Sequence, residues 1–222
     1  MHFRLPRPLH GWREFAGEVG IIVLGVLIAL TFEQIAEEIH WSQAVRQAHA
    51  EIRAETGTAN RFFAFRAAAE PCIGKRLDSI SQVIENVAAH KGTGRIESIG
   101  PDIGNGISDS TWQAQRASQT LTHFDQSELN LLGFYYHQLE SVADAVFRED
   151  AAWSDLRVLD GDPSRLGAED IAGLRRSLQH ARFENYLIGI ISREELERAA
   201  QLHLPVASPN TARLAGVCAP LT

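Results

Sequence analysis

An apolar run from Phe15 to Phe32, broken by one acid at Glu18, constrains this chain more than anything else in it. As a helix rising about 1.5 Å per residue the run reaches roughly 27 Å, close to the roughly 30 Å of hydrocarbon in a bilayer. It reads as one transmembrane helix, residues 15–32, behind a basic leader, residues 1–14, that carries Arg4, Arg7 and Arg13. Glu33, Glu37 and Glu38 come directly after the run. Because the Lys/Arg-rich flank of a span stays in the cytoplasm, the N-terminus is expected there and residues 33–222 across the membrane. A cleaved secretory signal shares the basic-then-apolar pattern. Leu30, Thr31, Phe32, Glu33 and Gln34 match a cleavage site poorly, and no Gly or Pro interrupts Thr31 to Thr56, so an uncleaved anchor is the expectation.

The chain beyond the span is long enough for one domain with a real core, since 45% of the whole sequence is hydrophobic. The formal net charge is -7, and the leader and span hold more Arg than acid, so the remainder is more acidic still. That balance argues against nucleic acid or anionic lipid as a partner.

Helical spacing dominates the sequence after the span. Leu132, Tyr135, Leu139, Val142, Val146, Glu149, Trp153 and Leu156 step by threes and fours behind Asp125 and Glu128, which have the spacing of a capping box. This predicts a helix from Gln126 to Leu159, closed by the turn residues Asp160, Gly161, Asp162 and Pro163. Ile171, Leu174, Leu178, Ala181, Asn185 and Ile188 mark a second helix, Ala168 to Leu202, antiparallel to the first. Ile73, Leu77, Ile80, Ile84 and Val87 mark a shorter amphipathic helix ending at Lys91 and Gly92. Gly92 to Gly106 reads as a loop with short β or irregular pairing, Ser110 to Ser118 as a brief helix, and Pro205 to Thr222 as an extended strap. The expected fold is all-α: one N-terminal transmembrane helix continuing into an extracytoplasmic helical bundle with long antiparallel helices.

Motifs that carry chemistry are sparse. Glu37 with His40, His137 with Glu140, and His180 with Glu184 are spaced for one helix face, but a di-metal carboxylate site needs such a pair on two helices plus further carboxylates. No H-E-x-x-H, C-x-x-C or G-x-S-x-G occurs, and Gly92, Gly94, Gly100, Gly104 and Gly106 lack the Lys and hydroxyl residue of a phosphate loop. No catalytic residue, cofactor or metal is expected, and the chain does not read as an enzyme. Trp112, beside Gln113 and Gln115, reads as core more readily than as the floor of a cleft.

Three groups of residues remain as candidate sites. Glu149 and Asn185 fall on otherwise apolar stripes and form the expected buried polar pair, with Arg175 or Arg182 available to neutralise the carboxylate. Cys72 and Cys218 would meet an oxidising compartment, where a disulfide tying the C-terminal tail to a helix competes with two free buried thiols. Glu18, Gly25, Ala29 and Ala36 lie within about 40° of one another at about 100° per residue, one acid and three small residues on a membrane association face.

The stretch Gly17-Glu18-Val19-Gly20-Ile21-Ile22-Val23-Leu24-Gly25-Val26-Leu27-Ile28-Ala29-Leu30 resembles the anchor of uncharacterised bacterial single-span membrane proteins, a family of unknown function. In these a Gly-Glu pair opens the span and a Gly-x-Leu-Ile-Ala-Leu block closes it. The likeness covers mainly residues 10–40, with fainter elements at Pro71-Cys72, Arg76-Leu77 and Cys218-Ala219-Pro220-Leu221. The resemblance implies the topology and a helical extracytoplasmic domain, here in the periplasm of a bacterial inner membrane, and supplies no activity. The function expected is that of a membrane-anchored structural or assembly protein, associating with itself as a homo-oligomer or with a larger membrane complex. The alternative is a periplasmic ligand- or protein-binding module tethered to the inner membrane.

Overall fold

The computed structural model describes residues 11–92, 95–100, 107–206 and 208–221. Arg4 and Arg7 of the leader, and Gly94, Gly104 and Gly106 of the Gly-rich stretch, lie outside the described residues. The protein is all-helical. Its elements are α1 (Trp12–Ala88), α2 (Ser110–Ala117), α3 (Gln126–Leu156), α4 (Ala168–Gln201) and α5 (Thr211–Val217), with 3₁₀ turns at Thr120–His123, Arg157–Leu159 and Pro163–Arg165. Among the described residues no strand occurs, and the only extended pairing is an isolated antiparallel bridge between Ile96 and Gly161.

The chain divides into two compact units, Met1–Gln47 and Ala48–Thr222, with the division inside α1. In the first unit α1 contains a window long and apolar enough, by length and composition, to cross a membrane. Its side chains from Phe15 to Phe32 are exposed, and exposure continues through residue 40.

In the second unit an apolar core joins α1, α3 and α4. Ile73, Leu77, Ile80 and Ile84 of α1 meet Trp153 and Leu156 of α3 and Ile171, Leu174 and Leu178 of α4, all buried. The sequence pattern marks residues 73–87 as a shorter amphipathic helix, and Pro71 just before them lacks an amide hydrogen and ordinarily ends or bends a helix. Here Pro71 lies inside α1. The buried residues on both sides of it, Phe65 and Ala69 before and Ile73 after, belong to the same core and hold the helix through the break.

Helix α3 starts where Asp125 accepts hydrogen bonds from the amides of Ser127 (2.9 Å) and Glu128 (3.2 Å). Glu128, the expected second half of a capping box, instead lies 3.3 Å from His49 of α1. The turn between α3 and α4 uses Gly161 at φ +95°, a conformation that favours glycine. Asp170 then accepts from the Gly167 amide at 2.8 Å and fixes the start of α4. Residues 134, 148 and 155 of α3 meet residues 198, 184 and 177 of α4, the reversed order of an antiparallel pair.

The tail departs from the expected extended strap. Asn210 accepts from the Arg213 amide at 3.0 Å and caps α5, which ends at Val217. Seven residues make two turns at most, too few to leave a readable period in the sequence.

Candidate functional site

In the second unit the chemistry-bearing side chains form a polar framework inside the helical core. Arg66 of α1 is fully buried and opposes Glu149 of α3, with one nitrogen 3.0 Å and the other 2.9 Å from the two carboxylate oxygens. Burial pushes the Glu149 carboxyl up, against the opposing pull of Arg66. The partner of Glu149 therefore differs from the expected Arg175 or Arg182. Arg175 binds Glu85 at 2.9 and 2.7 Å, and Arg182 binds Asp78 at 2.7 Å, both toward α1. Asn185 is also buried but is not bonded to Glu149; its amide donates to the Glu70 carbonyl of α1 at 3.1 Å. Glu149 and Asn185 thus each tie their own helix to α1, which the expected pairing leaves out.

Sequence reasoning misses Arg66, although one signal is present: it is the one charge in the run from Phe62 to Ala69. An arginine flanked on every helical face by apolar residues must be buried with a counter-ion or reach out past them. Two further groups escape it. Glu195 of α4 is fully buried, and its carboxyl is raised by burial while Arg198, one turn on, contacts both its oxygens at 3.2 Å. Arg198 also lies 4.0 Å over the Phe134 ring.

At the other end of this framework Glu55 of α1 caps α2. It accepts from the amides of Thr111 (2.8 Å) and Trp112 (3.3 Å) and from the Tyr136 hydroxyl (2.9 Å). Trp112 is buried and stacks on Tyr136 at 4.6 Å, so it belongs to the core. Burial, and then the Glu55 carboxylate, push the Tyr136 phenol well above its ordinary range. Next to it the Tyr135 hydroxyl donates to Asn60 Oδ1 at 2.8 Å, and Asn60 Nδ2 donates to the Pro205 carbonyl at 2.8 Å, fixing the start of the tail.

The end of the tail is fixed covalently. Cys72 of α1 and Cys218, just past α5, are joined by a disulfide with Cα atoms 4.9 Å apart. Arg76 donates to the Ala219 carbonyl beside it, and Arg213 lies 4.6 Å over the Phe65 ring.

Glu184 is held by Arg148 at 2.7 and 3.1 Å, and Glu37 accepts from Trp41 at 3.4 Å. Among the described residues no group of three or more His, Cys, Asp and Glu side chains is placed to hold a metal. An open cleft of about 740 Å³ is lined by Val87, His90, Lys91, Arg95, Asp162 and Ser164. Its bases lie on the turn after α1 and on the segment leading to Ile96.

In the first unit the proposed association residues Glu18, Gly25, Ala29 and Ala36 are all exposed on α1, and a Cβ at Gly25 would meet nothing within 4 Å. Comparison with family models, with curated proteins and with solved structures finds no match to this chain.

Proposed function

We propose that the chain is a single-pass membrane protein whose helical domain, a bundle on the extracytoplasmic side, serves structure or assembly. The observation that carries this reading is the exposed apolar stretch of α1 from Phe15 to Phe32. Burying a Val, Leu, Ile or Phe side chain is worth about 1.5–3 kcal/mol each, so leaving this stretch in water would be heavily unfavourable, and a bilayer relieves it on all sides of the helix at once. The Cys72–Cys218 disulfide supports the extracytoplasmic placement, because disulfides persist in oxidising compartments. An assembly role is favoured over catalysis because Arg66, Glu149, Glu184 and Glu195 are each engaged by an opposite charge inside the domain. The Arg66–Glu149 and Arg148–Glu184 pairs serve to fix helices to one another.

The test is topological. Alkaline phosphatase fused after Thr222 is expected to be active, the protein to resist alkaline extraction from membranes, and the mature N-terminus to be that of the leader. An inactive fusion, or a mature chain starting near residue 32, overturns the reading.

A further inference from the structure

We propose that the Cys72–Cys218 disulfide is a redox latch for the tail: an external dithiol that reduces it frees residues 205–221 from α1 and leaves α1, α3 and α4 packed. This goes beyond the assembly reading and does not depend on it. The tail runs beside α1 in the same direction. The His203 and Pro205 carbonyls accept from Arg53 and Asn60, Arg213 lies over Phe65, Cys218 joins Cys72, and the Ala219 carbonyl accepts from Arg76. Every partner in this series belongs to α1. The grip is nonetheless shallow. Among the described residues from 205 to 221 only Val217 is buried, with Leu214 and Leu221 half-buried against the core. The seven residues of α5 are too few to stay helical once detached. Ordering each residue of a segment costs conformational entropy, and one buried valine does not offset that cost for a stretch of this length. The covalent bond supplies the missing hold by keeping the far end of the tail at Cys72.

The bond is placed for attack from solvent. Cys218 is exposed and Cys72 half-buried, so an incoming thiolate reaches the Cys218 sulfur first. It bonds to that sulfur, and the Cys72 sulfur leaves as a thiolate and takes up a proton. The second thiol of the reductant, deprotonated, then attacks its neighbour in the mixed disulfide, and Cys218 leaves and is protonated in turn. Two electrons pass to the cysteine pair, and the dithiol ends as its own disulfide. The rest of the unit does not hang on this bond. Ile73, Leu77, Leu156 and Leu174 join α1, α3 and α4 in the core, and the Arg66–Glu149 and Asn185–Glu70 contacts tie α3 and α4 to α1. Release of the tail therefore uncovers the Phe65 face of α1 without opening the other helices.

The experiment uses the full chain in detergent and dithiothreitol as the dithiol, with alkylation and mass spectrometry to score the bond. Arg213 is the one Lys or Arg between positions 203 and 222, so tryptic cleavage after it reports the tail alone. On reduction that cleavage is expected to quicken about tenfold or more, as the open tail becomes the populated form, while Arg148 in α3 and Arg176 in α4 stay protected. The variant Cys72→Ser/Cys218→Ser is expected to show the fast cleavage with and without dithiothreitol. Unchanged cleavage at Arg213 after complete reduction, or slow cleavage in the double variant, shows a tail held by its own contacts and overturns the latch. Fast cleavage at Arg148 and Arg176 on reduction overturns it as well, because the bond then staples the whole unit. A bond that dithiothreitol leaves intact in the folded chain does the same.

Discussion

Replacing Arg66 by Met removes the guanidinium from the core and leaves most of the side-chain volume in place. Glu149, with 1% of its side chain exposed, then has lost its counter-ion in a site that water does not reach. Removing one member of a buried pair costs about 3–5 kcal/mol, a large share of the stability of an ordinary domain. The loss depends on pH. Burial already raises the Glu149 carboxyl in the intact protein, and without Arg66 the rise is unopposed. A raised carboxyl binds its proton more tightly folded than unfolded. Its contribution is therefore complete below the ordinary glutamate range and is lost as pH climbs through the folded value, at about 1.4 kcal/mol per pH unit. Arg66→Met is thus expected to be nearly tolerated near pH 4 and strongly destabilised near pH 7. The double variant Arg66→Met/Glu149→Met, which buries no charge, is expected to recover most of the loss at both. Urea unfolding of the full chain in detergent, monitored by tryptophan fluorescence, reads all of this, since Trp153 is buried in the same core. A single-variant loss below about 1 kcal/mol at pH 7, the range of exposed ion pairs, or a double variant as unstable as the sum of the singles, would refute the argument.

Three other outcomes are expected. Mass spectrometry without reductant should recover the peptides of Cys72 and Cys218 linked; complete alkylation of both thiols under the same conditions rules the bond out. Their double replacement by Ser opens a loop with a sequence separation of 146 residues, for which the chain-entropy model gives roughly 4–5 kcal/mol, read as a lowered urea midpoint. Glu55→Ala removes the acceptor at the start of α2 and should lower stability by about 1–2 kcal/mol while weakening the near-ultraviolet signal of the Trp112–Tyr136 stack; an unchanged signal would show that α2 holds its place without the cap.

The helices α3 and α4 are legible in the sequence because their apolar residues recur at helical spacing and their ends carry Asp125, Gly161 and Pro163, residues whose local chemistry stops or starts a helix by itself. Features that depend on distant partners are not. Pro71 signals a break to any local reading, and only the core residues on either side of it carry α1 through. The stripe containing Glu149 announces burial without saying which neighbour supplies the cation. Arg175 and Arg182 lie on an adjacent helix and satisfy the sequence equally well, but they point to Glu85 and Asp78, while the buried Arg66 faces the carboxylate. The cysteines admit a bond or two thiols, and the choice rests on a spatial approach of α1 and the tail that spacing in sequence does not encode.

The link between Cys72 and Cys218 also makes a closed ring of everything from the last quarter of α1 to just past the end of α5. A protease that cuts any single bond inside this ring, for instance in the exposed turn at Lys91 and Gly92, leaves the chain in one covalent piece. The carboxyl-side fragment stays attached to α1, and so to whatever holds the N-terminal half of that helix. Damage of this kind is invisible until the bond is reduced, and a domain nicked there keeps its carboxyl-side part.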